Sequence, residues 1–93
     1  MRNRSLKNTK AASKFANSYI AKLDLSYIPS KTRGIIIGDA QGYVTMEILC
    51  GNIALDKIDI MNRVDEIVGQ EILRYLEYKA DNDLNKVRKE LLK

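Results

Sequence analysis

Four carboxylates lie close together in the second half of the chain: Asp56, Asp59, Asp65 and Glu66. Carboxylates in pairs bind magnesium or exchange protons in acid–base catalysis. No basic or hydroxyl nucleophile converges on these four, so we interpret them as the solvated face of a helix. Cys50 is the only cysteine and the chain has no histidine, so a thiol nucleophile would lack its base and a zinc site its usual ligands. We therefore expect no catalysis, no metal and no cofactor.

Three glycines, Gly38, Gly42 and Gly51, flank the apolar runs in the middle of the chain. Glycine-rich loops can cradle phosphate groups. However, the chain has neither a Walker-type lysine nor the Gly-x-x-Gly loop that a KH domain uses to clamp nucleic acid. We therefore interpret these glycines as turn residues.

Basic residues are concentrated towards the N-terminus. Residues 1 to 33 carry eight basic side chains and one acidic one, whereas residues 34 to 93 carry eight basic and eleven acidic ones. A basic arm on a mildly acidic body is typical of contact with a phosphate backbone, and it is equally consistent with a solubilising terminus. The candidate nucleic-acid-binding residues are Arg2, Arg4, Lys7, Lys10, Lys14, Lys31 and Arg33, together with Tyr43, which could stack on a base.

The composition fits one small globular domain. The chain has 93 residues, of which 45% are apolar and 30% charged, a balance typical of folded rather than disordered proteins. No apolar run approaches the roughly 20 residues that cross a bilayer. A single cysteine suits a reducing compartment. We therefore expect a cytoplasmic protein without a membrane partner.

Apolar spacing predicts a first helix over residues 9 to 25. Ala12, Phe15, Tyr19 and Leu23 recur at intervals of three and four, which places them on one helical face. Residues 1 to 8 show no periodicity and are predicted to form a flexible basic arm. Pro29 disfavours helical geometry at the residue before it, so residues 26 to 32 are predicted to be a loop.

A β-hairpin is predicted next. Residues 34 to 38 are three isoleucines bounded by glycines, which is typical of a buried strand. Residues 39 to 42 supply turn chemistry. Residues 43 to 50 alternate, with Val44, Met46, Ile48 and Cys50 on one side.

The remaining residues predict a helix, a strand and a tail helix. Helical spacing runs from Leu55 to Gly69, where the glycine is a natural stop. Residues 71 to 78 fit either a strand or a continuing helix, and Gly69 favours the strand. Residues 81 to 93 are predicted to form an amphipathic tail helix.

Together these elements predict an α+β fold in the order α-β-β-α-β plus a C-terminal tail helix. The three strands would form one small sheet with the helices on one face, which is the arrangement of a KH-like domain. The domain would span residues 9 to 79, followed by the tail over residues 80 to 93.

Three stretches of the chain carry a family resemblance. Thr32-Arg33 leads into residues 35 to 39, Gly42 and the run Val44-Thr-Met-Glu-Ile48; residues 60 to 69 follow; and residues 72 to 79 close on an aromatic followed by a base. This pattern, over about residues 32 to 79, resembles the DciA-like proteins, bacterial accessory factors (loaders or operators) of the replicative helicase. The resemblance implies a KH-like fold, binding to single-stranded or junction DNA, contact with the replicative helicase, and no catalysis.

Two functions therefore remain open. The first is a nucleic-acid-binding accessory factor of the replicative DNA helicase. The second is a protein-only interaction module, such as a regulator or a phage-type inhibitor, that does not bind nucleic acid. Leu84, Val87 and Leu91 form a narrow apolar stripe on the tail helix; this stripe either docks in the groove of a partner or packs back on the domain.

Overall fold

The computed structural model describes residues 5 to 92, and these residues fold into three α-helices. α1 spans Thr9–Ala21, α2 spans Ser30–Leu49 and α3 spans Lys57–Leu91. Each helix packs against the other two. Over this part of the chain the only extended pairing is a single antiparallel bridge between Ser5 and Asp56.

The N-terminal segment leads directly into α1. The Leu6 N–H donates to the Leu55 carbonyl at 2.8 Å, which fixes this part of the predicted arm beside the loop before α3. Asn8 is the N-cap of α1, and its Oδ1 accepts the Ala11 N–H at 2.8 Å. Arg2 and Arg4 lie outside the described residues.

The ends of α2 and the start of α3 follow from local chemistry. Pro29 lies at the N-terminal boundary of α2, where its missing N–H costs nothing, and its carbonyl accepts the Arg33 N–H. After α2, Gly51 takes the left-handed conformation at φ 75°, which is the usual way to end a helix. α3 begins after Asp56, whose Oδ1 accepts the N–H groups of Ile58 and Asp59.

The core is formed where one apolar stripe from each helix meets the other two. Residues three or four positions apart lie on one face of a helix, so each stripe is continuous. Two loop residues, Leu25 and Ile28, close the core between α1 and α2. The buried helical residues are Ala12, Ala16 and Ile20 in α1, Ile36, Ala40, Val44 and Ile48 in α2, and Ile60, Val64, Ile67 and Val68 in α3.

α3 is much longer than the helices it packs against. Its 35 residues extend about 52 Å, against about 30 Å for the 20 residues of α2. Ile72 and Tyr75 are the last side chains of α3 that pack against the core. The molecule is therefore elongated, with principal extents of 66 × 24 × 18 Å.

The predicted α+β fold is wrong. Residues 34 to 38 and 43 to 50, predicted as a hairpin, belong to the single helix α2, and the predicted turn at residues 39 to 42 lies inside it. The predicted strand over residues 71 to 78 and the separate tail helix over residues 81 to 93 are both parts of α3 as far as Leu91. The KH-like sheet is therefore absent from the described residues. The predicted first helix is confirmed, and it ends at Ala21, before residue 25.

The reason for the error in α2 lies in its spacing. Ile36, Ala40, Val44 and Ile48 recur every four residues and are all buried, which is a helical stripe. The alternation that predicted a strand does not correspond to burial, because Met46 and Cys50 are exposed. Gly69, the second source of error, lies inside α3 and does not end it, since it lacks the positive φ that Gly51 adopts.

Candidate interaction surfaces

The lysines predicted to bind nucleic acid lie on the solvent side of the N-terminal region. Lys10 and Lys14 are one turn apart on α1, opposite its buried stripe, and Lys7 precedes the helix by two residues. All three side chains are exposed, and residues 5 to 23 contain no acidic residue. We call these three lysines the positive face; Lys31 is exposed separately, at the start of α2.

Arg33 is hydrogen-bonded within the fold and does not stand open to a phosphate. Its Nε donates to the Leu25 carbonyl at 3.0 Å, and its Nη2 donates to the Ile28 carbonyl at 2.8 Å. A longer contact of 3.5 Å joins Nη2 to the Ser26 carbonyl. The guanidinium therefore fastens the α1–α2 loop to the first turn of α2.

Tyr43 lies on α2, far from the position predicted for it. A strand pairing would have placed it beside Arg33, whereas ten residues of helix separate the two by about 15 Å. Its ring is about half exposed. It borders a shallow depression formed with Gly38, Gly42 and Met46. The structure therefore does not join Tyr43 to Arg33 in one binding site.

Three of the four carboxylates weighed as catalytic candidates have separate structural partners. Asp56 caps α3, and Asp65 accepts a hydrogen bond from the Tyr19 hydroxyl at 2.8 Å. This hydrogen bond, together with partial burial, raises the pKa of Tyr19. Glu66 pairs with the Arg63 guanidinium at 3.0 Å. Among the described residues, no group of three or more acidic or cysteine side chains is arranged to hold a metal ion.

An ion pair between α2 and α3 lines a groove of about 550 Å³. Arg63 Nε and Nη2 donate to both carboxylate oxygens of Glu47, at 2.7 to 3.1 Å. Hydrogen bonds and charge from Glu47 and Glu66 raise the pKa of Arg63 well above its ordinary value. The charged side chains of Arg63, Glu47 and Glu66 are paired with one another, so we interpret them as a structural link between α2 and α3.

The last part of α3 extends beyond the body of the molecule. We call residues 76 to 92 the α3 arm; every one of them is exposed. The predicted partner-binding residues Leu84, Val87 and Leu91 lie on this arm with 51% to 78% of their surface exposed. Their side chains are therefore not part of the core.

A second uncovered apolar surface lies on α2, opposite its buried stripe. We call it the outer face of α2, formed by Ile35, Gly38, Gly42, Met46 and Leu49. Its three large side chains are 56% to 65% exposed. Each exposed glycine inside a helix costs about 0.5 to 1 kcal/mol relative to alanine, and a Cβ added at Gly38 or Gly42 would meet nothing within 4 Å.

Sequence reasoning missed this surface because glycines beside apolar runs also predict turns. Gly34, Gly38 and Gly42 are four residues apart, and this spacing is the signal that could have found it. A groove of about 530 Å³ runs along one side of the face, between α1 and α2. It is lined by Asn17, Gln41, Gly42, Thr45, Met46, Leu49 and Cys50.

No family model, curated protein or solved structure matches this chain. None of the helices within residues 5 to 92 contains an apolar stretch that could span a bilayer. The stretches that resemble the DciA-like proteins lie mostly on α2 and α3. The expectation of a KH-like fold that came with that resemblance is wrong.

Proposed function

We propose that this chain is a helical interaction module that acts by binding a protein partner through the α3 arm. One observation carries the proposal: α3 continues for sixteen residues, about 24 Å, beyond Tyr75, its last core contact, while exposing Leu84, Val87 and Leu91. An apolar stripe that the core does not use is typical of a helix that docks on another protein. Catalysis has no part in the proposal.

The spacing of the stripe indicates the kind of partner. Ala80, Leu84, Val87 and Leu91 follow one another at intervals of four, three and four, which is the seam of a two-stranded coiled coil. Asp81 and Asp83 border this seam near Leu84. The partner is therefore a helix with its own apolar seam and with basic residues facing Asp81 and Asp83.

The test compares two double variants of the full chain that change net charge equally. Leu84→Glu with Val87→Glu disrupts the stripe, whereas Lys86→Gln with Lys89→Gln alters the opposite side of the arm. A photoreactive residue at position 88 captures the partner in cells that make the protein. Each variant is then titrated against the purified partner. The replicative helicase is included because the sequence resemblance predicts it.

We expect the stripe variant to weaken partner binding at least tenfold and the control variant to change it less than twofold. Both variants should melt at nearly the wild-type temperature, because the arm lies outside the core. Equal binding by the two double variants would contradict the proposal, and so would a stripe variant that unfolds.

A second candidate function, contact with nucleic acid, is favoured by the positive face of Lys7, Lys10 and Lys14. None of these lysines forms an ion pair within residues 5 to 92. If they contact phosphates, changing all three to glutamine should lower the log–log salt slope of oligonucleotide binding by about 2 to 3, at about 0.7 to 0.9 per contact.

The measurement is fluorescence anisotropy with single- and double-stranded oligonucleotides across a range of salt concentrations. The matched control changes Lys79, Lys86 and Lys89 to glutamine, which removes the same charge from the arm. An unchanged slope in the first triple variant would leave the positive face as solubilising charge.

A further inference from the structure

α2 is apolar on two sides, although α1 and α3 cover only one of them. Its inner stripe is buried, and its outer face presents Ile35, Met46 and Leu49 to solvent. A helix with apolar residues around most of its circumference is typical of a helix that is packed on all sides. The described part of a single chain leaves the outer face uncovered.

The two glycines of this face have no structural role among residues 5 to 92. Gly38 and Gly42 lie in regular helix without positive φ, and a Cβ at either would meet nothing within 4 Å; the same holds for Gly34, which lies one turn before Gly38 beside the face. Alanine would therefore form the same helix better. Small residues four positions apart instead allow a second helix to approach closely.

We propose that the outer face of α2 binds the same face of a second copy in an antiparallel pair whose two-fold axis passes Gly42. This register places Met46 of each copy at the height of Gly38 of the other. It likewise places Leu49 of each copy at the height of Ile35 of the other. Each large apolar side chain thus meets a glycine or another apolar side chain. The inference goes beyond partner binding by the arm.

The face complements itself, which is why we assign its occupant as a second copy. Most soluble homo-oligomers are two-fold dimers in which one patch pairs with itself. Asp39, exposed beside Gly38 and Gly42, lies at the height of Thr45 of the other copy, so the two Asp39 carboxylates stay apart. A parallel pair would place Asp39 against Asp39 and Met46 against Met46.

A polar group beside the face is also completed by this pairing. Asn17 of α1 lines the groove along the outer face, and its buried Oδ1 accepts no hydrogen bond within the described residues. Buried acceptors without a donor are uncommon in folded proteins. Gln41 lines the same groove near the two-fold axis, and we assign the Gln41 amide of the second copy as the donor to Asn17.

The size of the contact sets the strength that we expect. The face runs from Ile35 to Leu49, about 21 Å of helix. A single pair of helices of this length lies at or below the roughly 1,200 Å² at which stable interfaces begin. We therefore expect weak, reversible dimerisation.

Sedimentation of the full chain over a range of concentrations tests the proposal. Gly38→Leu should raise the Kd of dimerisation at least tenfold, because a leucine occupies the space that Met46 of the other copy needs. The same change should leave the melting temperature of the dilute protein equal or higher, because none of residues 5 to 92 lies within 4 Å of a Cβ at that position. Asn62→Leu, at an exposed site on α3 away from the face, is the matched control.

A distance measurement tests the register. Cys50 is the single cysteine and is exposed, so it takes a nitroxide label without other changes. In the antiparallel pair the two Cys50 residues are sixteen helical residues apart, about 24 Å along the axis. Pulsed electron paramagnetic resonance should therefore give a distance of about 25 Å or more, whereas a parallel pair would give about 10 Å.

Three results would overturn the proposal: a monomer at the highest soluble concentration, a dimer that Gly38→Leu leaves unchanged, or the short label distance. The stripe variant Leu84→Glu with Val87→Glu keeps the two inferences separate. It should dimerise as the wild type does, while losing the partner that binds the α3 arm. Loss of the dimer in this variant would assign self-association to the arm and contradict pairing through α2.

Discussion

Replacing Arg33 by methionine should destabilise the protein without affecting nucleic-acid binding. Methionine keeps most of the apolar stem but removes the two short hydrogen bonds to the Leu25 and Ile28 carbonyls, at 3.0 and 2.8 Å. A hydrogen bond to a charged group contributes about 1.5 to 3 kcal/mol. Because the contacts are only partly buried and water can replace some of them, we expect a loss of about 2 to 3 kcal/mol in the free energy of unfolding.

Urea denaturation followed by circular dichroism measures this loss. Lys31→Met is the matched control, because Lys31 is exposed two residues earlier in the same helix, and it should change stability by less than about 0.5 kcal/mol. Arg33→Lys should recover less than half of the loss, since an ammonium cannot reproduce the fork of a guanidinium.

A different result would refute the structural role of Arg33. Arg33→Met would then leave the free energy of unfolding within about 0.5 kcal/mol of wild type. It would also lower the salt slope of oligonucleotide binding by about 0.7 to 0.9. That pair of results would make Arg33 a phosphate contact and not a fastener of the α1–α2 loop.

Two further predictions concern single carboxylates. Asp56→Ala should lower the free energy of unfolding by about 1 kcal/mol, because the N-cap of α3 is lost, and Asp56→Asn should retain most of it; thermal melts compare the two. Hydrogen bonds from the Ser26 hydroxyl and N–H lower the pKa of Asp24. The stability that Asp24 contributes is thus present above its unfolded pKa, near 4, and is lost as the pH falls through the lower folded value. An acid titration should therefore show wild type and Asp24→Asn converging at low pH, and a gap that widens there would contradict the assignment.

The first helix could be predicted from the sequence because one signal dominates it. Its apolar residues recur only at helical spacing, and the next proline lies eight residues beyond its end. The stripe of Leu84, Val87 and Leu91 is visible for the same reason. Whether that stripe packs on the domain depends on the length of α3, which the sequence does not fix.

The secondary structure of the middle of the chain is ambiguous from sequence, because a glycine can mark a turn or lie inside a helix. Residues 34 to 38 look like a strand between turns when their glycines are treated as boundaries. The helical stripe becomes visible only when Ala40 is counted with Ile36, Val44 and Ile48. Burial of that stripe against α1 and α3 stabilises the helical conformation by more than the glycines destabilise it.

Gly69 and Arg33 are single residues for which the sequence alone predicts the wrong structural role. The position of Gly69 predicts a helix stop, but a glycine ends a helix when it takes the left-handed conformation, and in this chain Gly51 does so instead. The charge of Arg33 predicts a phosphate contact, whereas its actual partners are backbone carbonyls, which leave no pattern in a sequence.

Amide hydrogen exchange tests most directly whether the α3 arm is a helix that stands clear of the core. We expect helical chemical shifts without a break from Lys57 to Leu91. We also expect strong protection up to about Tyr75 that falls towards the value of a freely fraying helix across residues 76 to 92. A break in the helix at Gly69, or arm amides as protected as those of Ile60 and Val64, would contradict an arm that stands clear of the core.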